Sequence, residues 1–297
     1  MVTALRLIST KTRGRALVAA RSFVAGERVF RERPLIVADP LSLPPAATEH
    51  SPLGERLRAR LPLGPLRESC AAEGVRYPLL VAQMLVTSLT ASAESTDGPS
   101  FEAFWESASA LSAPPPVERP ARWSLHYELL RESFCDPTAK ILGAEQLFAQ
   151  GALDEDWFAQ TLAMLHANLI RVTEREVALL ALGSMVNHDC APNLDFDFFR
   201  DSPVSAGAVV PGGASGVAEF CAKRDIREGE ELTMAYVSPL APPPGGSVAP
   251  GLRGAVSGRR VPSAEQREQL RTAHGFDCDS CACASRENER WLQGRSQ

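Results

Sequence analysis

Three cysteines fall within one hexapeptide near the end of the chain, Cys278-Asp279-Ser280-Cys281-Ala282-Cys283. Thiolates at that spacing suit zinc, which takes four sulfur or nitrogen ligands in a tetrahedron, so a local trio needs one further donor from elsewhere in the chain. The alternative is three reduced thiols without metal. A second chemical stretch is residues 182–194, LGSMVNHDCAPNL, where an apolar run (Val177, Leu179, Leu180, Leu182, Met185, Val186) leads straight into Asn187 and His188. The run predicts the end of a buried helix, broken by a proline turn at Pro192-Asn193. Polar side chains leaving a buried segment need their hydrogen bonds taken up by neighbouring backbone or by a ligand. The third feature is Tyr236, a phenol one short strand beyond the turn Glu228-Gly229-Glu230. Taken singly, His188 reads as a satisfied core histidine and Tyr236 as a plain strand aromatic.

The elements that must position these residues are short. Residues 16–20, 28–30 and 35–37 are β-prone and separated by the Gly26 turn and Pro34, which predicts a small antiparallel meander. Residues 38–78 are rich in proline and small side chains and read as an irregular segment with one weak helical phrase at 55–61. A helical insertion is expected over 79–166, with helices at 79–89, 101–111, 123–134 and 154–166. The last opens on Asp154 as N-cap, with Glu155 and Asp156 in its first turn and Phe158, Leu162 and Leu165 at helical spacing. Strands follow at 169–172, 194–198, 217–222 and 231–237, with a Gly/Ser/Pro-rich loop at 201–216. Residues 238–262 are low in complexity, cannot bury a core, and are expected to be disordered.

Residues 187–193 resemble the NHSCxPN signature of SET-domain protein methyltransferases, with Asp189 where that family has serine. Arg13-Gly14-Arg15-Ala16-Leu17, with Phe23, Gly26 and Glu27 beyond it, resembles the family's opening glycine motif. Arg227-Glu228-Gly229-Glu230-Glu231-Leu232-Thr233, ending on Tyr236, resembles its GEELTxxY strand, and Arg267, Leu270, His274-Gly275-Phe276 and Cys278 resemble the post-SET phrase. Four motifs in the family's order carry the resemblance, which is nearest to the SET- and MYND-domain subgroup. That subgroup's MYND zinc finger would fall at about 38–78, where Cys70 is the one cysteine, so neither that module nor the subgroup's C-terminal helical-repeat domain is expected here.

The resemblance implies an α+β fold: a mainly-β SET framework of short strands over 5–237, the helical insertion within it, and a zinc-binding post-SET tail over 263–297. It implies a protein-lysine N-methyltransferase that uses S-adenosylmethionine. The main chain of Arg13, Gly14 and Arg15 would cradle the cofactor. Asn187, His188, Ser184 and Asn168 would contact it, Phe276 would stack on its adenine, and Tyr236 would supply the catalytic hydroxyl. Zinc would be held by Cys190, Cys278, Cys281 and Cys283, pinning the tail over the pocket. Lysine attacks a sulfonium methyl only as the neutral amine, so the site needs a narrow apolar channel that disfavours the ammonium and aligns the amine with the methyl. The chain departs from the pattern at Ala16, in place of a second glycine, at His274, in place of tyrosine, and in a C-x-x-C-x-C cluster where the subgroup has C-x-C-x-x-C. A SET domain that binds cofactor or peptide without transferring methyl is the rival reading. A zinc hydrolase ranks below it, since no HExxH occurs and an all-thiolate site leaves no position for water.

At 297 residues, 44% hydrophobic and 23% charged, the chain has the composition of a globular protein of one or two domains. A net charge of -5 argues against a general nucleic-acid binder. No apolar run approaches the ~20 residues of a membrane span. Residues 1–26 carry five basic residues and no acid, as a transit peptide would, but the glycine motif lies inside that stretch. Seven cysteines, an odd number, point to a reducing compartment, cytoplasmic or nuclear. The expected partner is a protein presenting a lysine, with the enzyme itself a monomer.

Overall fold

The structure is a computed structural model that describes residues 4–10, 14–39, 61–94, 100–111, 120–137, 143–173, 175–200, 216–236, 268 and 270. Arg13, His274, Phe276, the cysteine cluster, the segment 238–262 and residues 40–60 lie outside these. No helix among the described residues is long and apolar enough to cross a membrane. Strands β1 (Leu5–Thr10), β2 (Gly14–Ala19), β3 (Arg28–Glu32) and β4 (Ile36–Ala38) open the chain. The helices that follow include α1 (Gly64–Glu73), α2 (Tyr77–Glu94), α3 (Phe101–Ser109), α4 (Ala121–Cys135), α5 (Ala144–Ala149) and α6 (Glu155–Asn168). Strands β5 (Leu169–Arg171) and β6 (Val177–Leu179), a 3-10 turn at Gly183–Met185, and strands β7 (Asn187–His188), β8 (Leu194–Phe199), β9 (Val217–Ala222) and β10 (Thr233–Met234) complete it.

The chain divides into two compact units. The first comprises Met1–Phe30, Val186–Phe196 and Phe220–Gln297. In it β1 pairs antiparallel with β2, from Leu5↔Ala19 to Thr10↔Gly14, and β7 pairs parallel with β10. Residues 229–232 run along the other edge of β2: Gly229 N–H donates to Ala19 O at 2.8 Å, Ala19 N–H to Glu230 O at 2.9 Å, and Leu232 N–H to Leu17 O at 2.8 Å. Ala16, Leu17, Val18 and Ala19 are all buried, so both faces of β2 are covered, where a strand with one face to solvent would alternate. Gly229, with φ 81°, makes the turn that starts this run, a conformation an L side chain resists. Phe30 and Phe220 stack with ring centroids 4.3 Å apart.

The second unit, Arg31–Met185 and Asp197–Glu219, holds the helices and a three-stranded antiparallel sheet in the order β4–β6–β5. Helix α2 is its centre. Every residue from Pro78 to Thr90 is buried, the signature of a helix that is packed all round. The N-terminal end of α6 is capped by the Asp154 carboxylate, which accepts from Trp157 N–H at 2.7 Å.

Two sequence expectations are corrected. The segment 38–78 is not irregular throughout, because α1 occupies Gly64–Glu73. Pro65 sits in its first turn, where a missing N–H costs nothing, and Gly74 closes it in the left-handed conformation with φ 67°. The apolar run before Asn187 is not a helix end. Its first residues pair as β6 with β4 and β5, and only three residues of 3-10 turn separate that strand's loop from β7. The short α5 carried no sequence signal that set it apart from its loops.

Candidate functional site

The first unit gathers Gly14, Arg15, Asn187, His188, Cys190, Glu231 and Tyr236. Strand β7 fixes Asn187 opposite Thr233 and His188 opposite Met234, so β10 delivers Tyr236 two residues later beside His188. The backbone N–H of Tyr236 donates to His188 Nδ1 at 3.1 Å, and the two rings lie 5.5 Å apart. An accepting Nδ1 puts the proton of the neutral imidazole on Nε2, which faces Cys190 Sγ at 3.2 Å. His188 is 5% exposed, and its ring bridges the Tyr236 backbone and the Cys190 sulfur.

The Tyr236 hydroxyl donates to the carbonyl of Val186 at 2.8 Å. Its one proton is committed, so towards anything else the oxygen acts as an acceptor. Burial pushes the phenol up to about 12, and the Glu231 carboxylate adds to the shift, which keeps Tyr236 protonated across the neutral range.

Asn187, half-buried, donates from Nδ2 to Arg15 O at 3.0 Å and to Glu231 Oε1 at 2.9 Å. Among the described residues no donor reaches its Oδ1. Asn193 is a useful contrast. It is 1% exposed, donates to Glu230 Oε1 at 3.2 Å and to Glu231 O at 2.8 Å, and accepts from Thr233 N–H at 2.8 Å. Its amide is saturated and fastens the loop to β10, whereas Asn187 keeps an acceptor in hand.

Gly14 has φ 68° and is exposed, and a Cβ there would meet nothing within 4 Å, so open space adjoins the backbone at the start of β2. Ala16 is wholly buried and pairs with Ile8, which places the methyl that replaces glycine inside the strand packing.

Ser184 and Asn168 belong to the second unit. The Ser184 hydroxyl accepts from Leu180 N–H at 3.3 Å and donates to Asn168 O at 2.8 Å, and Asn168 Nδ2 donates to Met164 O at 2.8 Å. The same loop is tied by Glu32, whose carboxylate accepts from the backbone N–H groups of Leu182, at 3.0 Å, of Gly183 and of Ala181. Burial raises the Glu32 pKa, and those three donors pull it back down. Glu32, Glu231 and Asn193 were not among the site residues expected from the sequence. The last two stand inside the quoted motifs, but Glu32 had no signal at all.

Of the expected zinc ligands, only Cys190 lies within the described residues. Among these, no group of three or more histidines, cysteines or carboxylates is placed to hold a metal. Cys70 and Cys135 are free thiols, and burial pushes Cys70 up to about 11, an inert core thiol.

Comparison with known proteins adds the following. The SET domain family model matches residues 14–237. A SET and MYND domain-containing protein of Dictyostelium discoideum is 21% identical over 231 residues, which cover 73% of this chain and 54% of the relative. The chain thus spans about half the length of the curated relative it matches. Among solved structures, it is similar to the SET domain of LSMT bound to lysine and AdoHcy, at 13% identity and a TM-score of 0.35 over 80% of this chain and 50% of that one. Rubisco LSMT bound to sinefungin and monomethyllysine matches at 11% identity and a TM-score of 0.40, over 93% of this chain and 52% of that one.

Proposed function

Because the chain belongs to the SET-domain family, we propose that it transfers a methyl group from S-adenosylmethionine to the side-chain amine of a lysine in a protein. The observation that carries this reading is the Tyr236 hydroxyl, an acceptor oxygen fixed by Val186 O at 2.8 Å beside the His188 ring and close enough to Glu231 for its charge to be felt. When bound, S-adenosylmethionine supplies a methyl carbon made electrophilic by its sulfonium. Attack by the neutral lysine amine would form the new C–N bond, the C–S electrons would stay with sulfur, and the resulting methylammonium would release its proton to solvent.

The chain's own residues hold this geometry. The Tyr236 oxygen accepts from polarised methyl hydrogens or from the amine N–H. Asn187 offers Oδ1, which no donor reaches among the described residues, to a ligand donor, and this fits an adenosyl cofactor bearing amino groups. Exposed backbone at Gly14, with Arg15 and Arg13, would cradle the cofactor, His188 and Asn187 would contact it, and Phe276 would stack on its adenine. Cys190, Cys278, Cys281 and Cys283 would hold zinc. The Nε2–H of His188, 3.2 Å from Cys190 Sγ, suits a thiolate acceptor and is the kind of outer contact that orients a metal ligand. The nearest subgroup is that of SET- and MYND-domain enzymes, and the substrate is a lysine-presenting protein of the cytoplasm or nucleus.

Purified protein incubated with methyl-labelled S-adenosylmethionine and a mixed protein extract tests the reading. Label acid-stable on lysine is the expected result. Cofactor binding by calorimetry without any labelled product would make the chain a binding module, and no binding at all would end the proposal.

A further inference from the structure

Two asparagines six residues apart have opposite fates. Asn193 uses its whole amide within the protein, while among the described residues Asn187 uses only its nitrogen. A side-chain amide has two faces, and which way it points is decided by the polarity of its neighbours. Both neighbours of the Asn187 nitrogen, Arg15 O at 3.0 Å and Glu231 Oε1 at 2.9 Å, are acceptors without a proton to give. A flipped amide would set its oxygen against a carbonyl and a carboxylate, which is repulsive. Of the two, the carbonyl belongs to the strand and is fixed by the fold, but the carboxylate is a side chain that chooses the orientation.

We propose that Glu231 is a positioning residue that locks the Asn187 amide with Oδ1 presented to an N–H donor of the bound cofactor. The inference rests on the methyl-transfer reading above. Glu231 is itself anchored. Its backbone bridges to Val18, and its carbonyl accepts from Asn193 Nδ2 at 2.8 Å, so the side chain starts from a backbone that does not shift when Asn187 is pulled. Asn187 is held on the other side by the β7–β10 pairing through Thr233. The amide is therefore rigid before any ligand arrives, and a donor that meets it makes its hydrogen bond without paying to reorient the side chain. An acceptor held in this way also discriminates, because a ligand lacking the donor leaves Oδ1 unpaired.

S-adenosylmethionine offers two N–H donors, the α-ammonium and the adenine 6-amino group, and the test separates them. Calorimetry would compare S-adenosylhomocysteine with its α-desamino analogue and with its inosine analogue, on wild-type protein and on Glu231→Gln and Glu231→Leu. Wild-type protein should lose about tenfold in affinity for whichever analogue lacks the donor that meets Oδ1, the scale of one well-made hydrogen bond. Glutamine retains an acceptor oxygen and should preserve most of that discrimination. Leucine should reduce it to within about twofold of none, by weakening the parent ligand more than the analogue. A merely structural role would weaken all three ligands together and leave the ratio alone, and that result overturns the proposal. Should the leucine variant not fold, Glu231→Met takes its place with the same two outcomes, and a lost ratio in the glutamine variant refutes the acceptor role. Equal affinity of the wild type for all three ligands also refutes it while leaving methyl transfer standing. Wild-type protein that binds none of them overturns both.

Discussion

Replacing Tyr236 with phenylalanine removes one oxygen from a ring that keeps its place against His188, 5.5 Å away. Two consequences separate cleanly. The Val186 carbonyl loses the hydroxyl that donates to it at 2.8 Å, and a hydrogen bond of this kind contributes about 1 kcal/mol net, more where the orphaned acceptor stays dry. The melting temperature should therefore fall by about 2–4 °C, the shift that such a loss produces in a domain of this size. The rate should fall much further. If the oxygen holds the methyl or the amine chiefly at the transition state, its removal costs ~100-fold or more in methyl transfer, while the cofactor dissociation constant stays within about threefold. Single-turnover transfer of labelled methyl and calorimetry on the same preparation measure both. The pH profile supplies a further check. With the phenol pushed up to about 12, no phenolate step should enter the wild-type rate below pH ~10, the ordinary phenol value. Parent-like turnover in Tyr236→Phe, or a loss of turnover matched by an equal loss of cofactor affinity, would refute the assignment.

Glu32→Gln places an NH2 group among three backbone donors, so it should lower stability by about 2 kcal/mol, seen as a reduced urea midpoint with an unchanged slope. An unchanged midpoint would mean that the loop 181–183 does not depend on that carboxylate. His126 is 1% exposed on α4, makes no hydrogen bond among the described residues, and has Nε2 3.7 Å from Glu73 Oε2. Burial lowers its pKa, with Glu73 opposing and Arg122 assisting, so the unfolded chain takes the proton first. The stability this contributes is present above the ordinary histidine value of about 6.5 and is lost as pH falls through the lowered one. Denaturant midpoints from pH 7.5 to 5 should decline more steeply for the wild type than for His126→Leu, and parallel declines would exclude the histidine as the cause. Elemental analysis of protein purified without added metal should find one zinc per chain, as four thiolate ligands imply, and Cys190→Ser should lower it. Unchanged zinc in that variant would exclude Cys190 as a ligand.

What the sequence alone determined was local or carried by motif. Asp154 followed by two acids, and then apolar residues at helical spacing, specified the start of α6, because capping and periodicity act over a few residues. Motif order pointed to the family and put Asn187, His188 and Tyr236 forward as a set. The apolar run 177–186 misled, because a short apolar stretch has no periodicity that separates a strand from a helix, and only pairing with β4 and β5 decided it. Pro65 hid α1 for a related reason: a proline interrupts a helix or begins one depending on a position that composition does not reveal. Tertiary structure alone decided where the hydrogen bonds go. Glu231 reaches Asn187 across 44 residues, Tyr236 reaches Val186 across 50, and Glu32 reaches Leu182 across 150. Each of those carboxylates and hydroxyls is, in the sequence, one polar residue among many. It becomes a positioning group only when folding removes water and brings to it the one partner whose polarity it can satisfy.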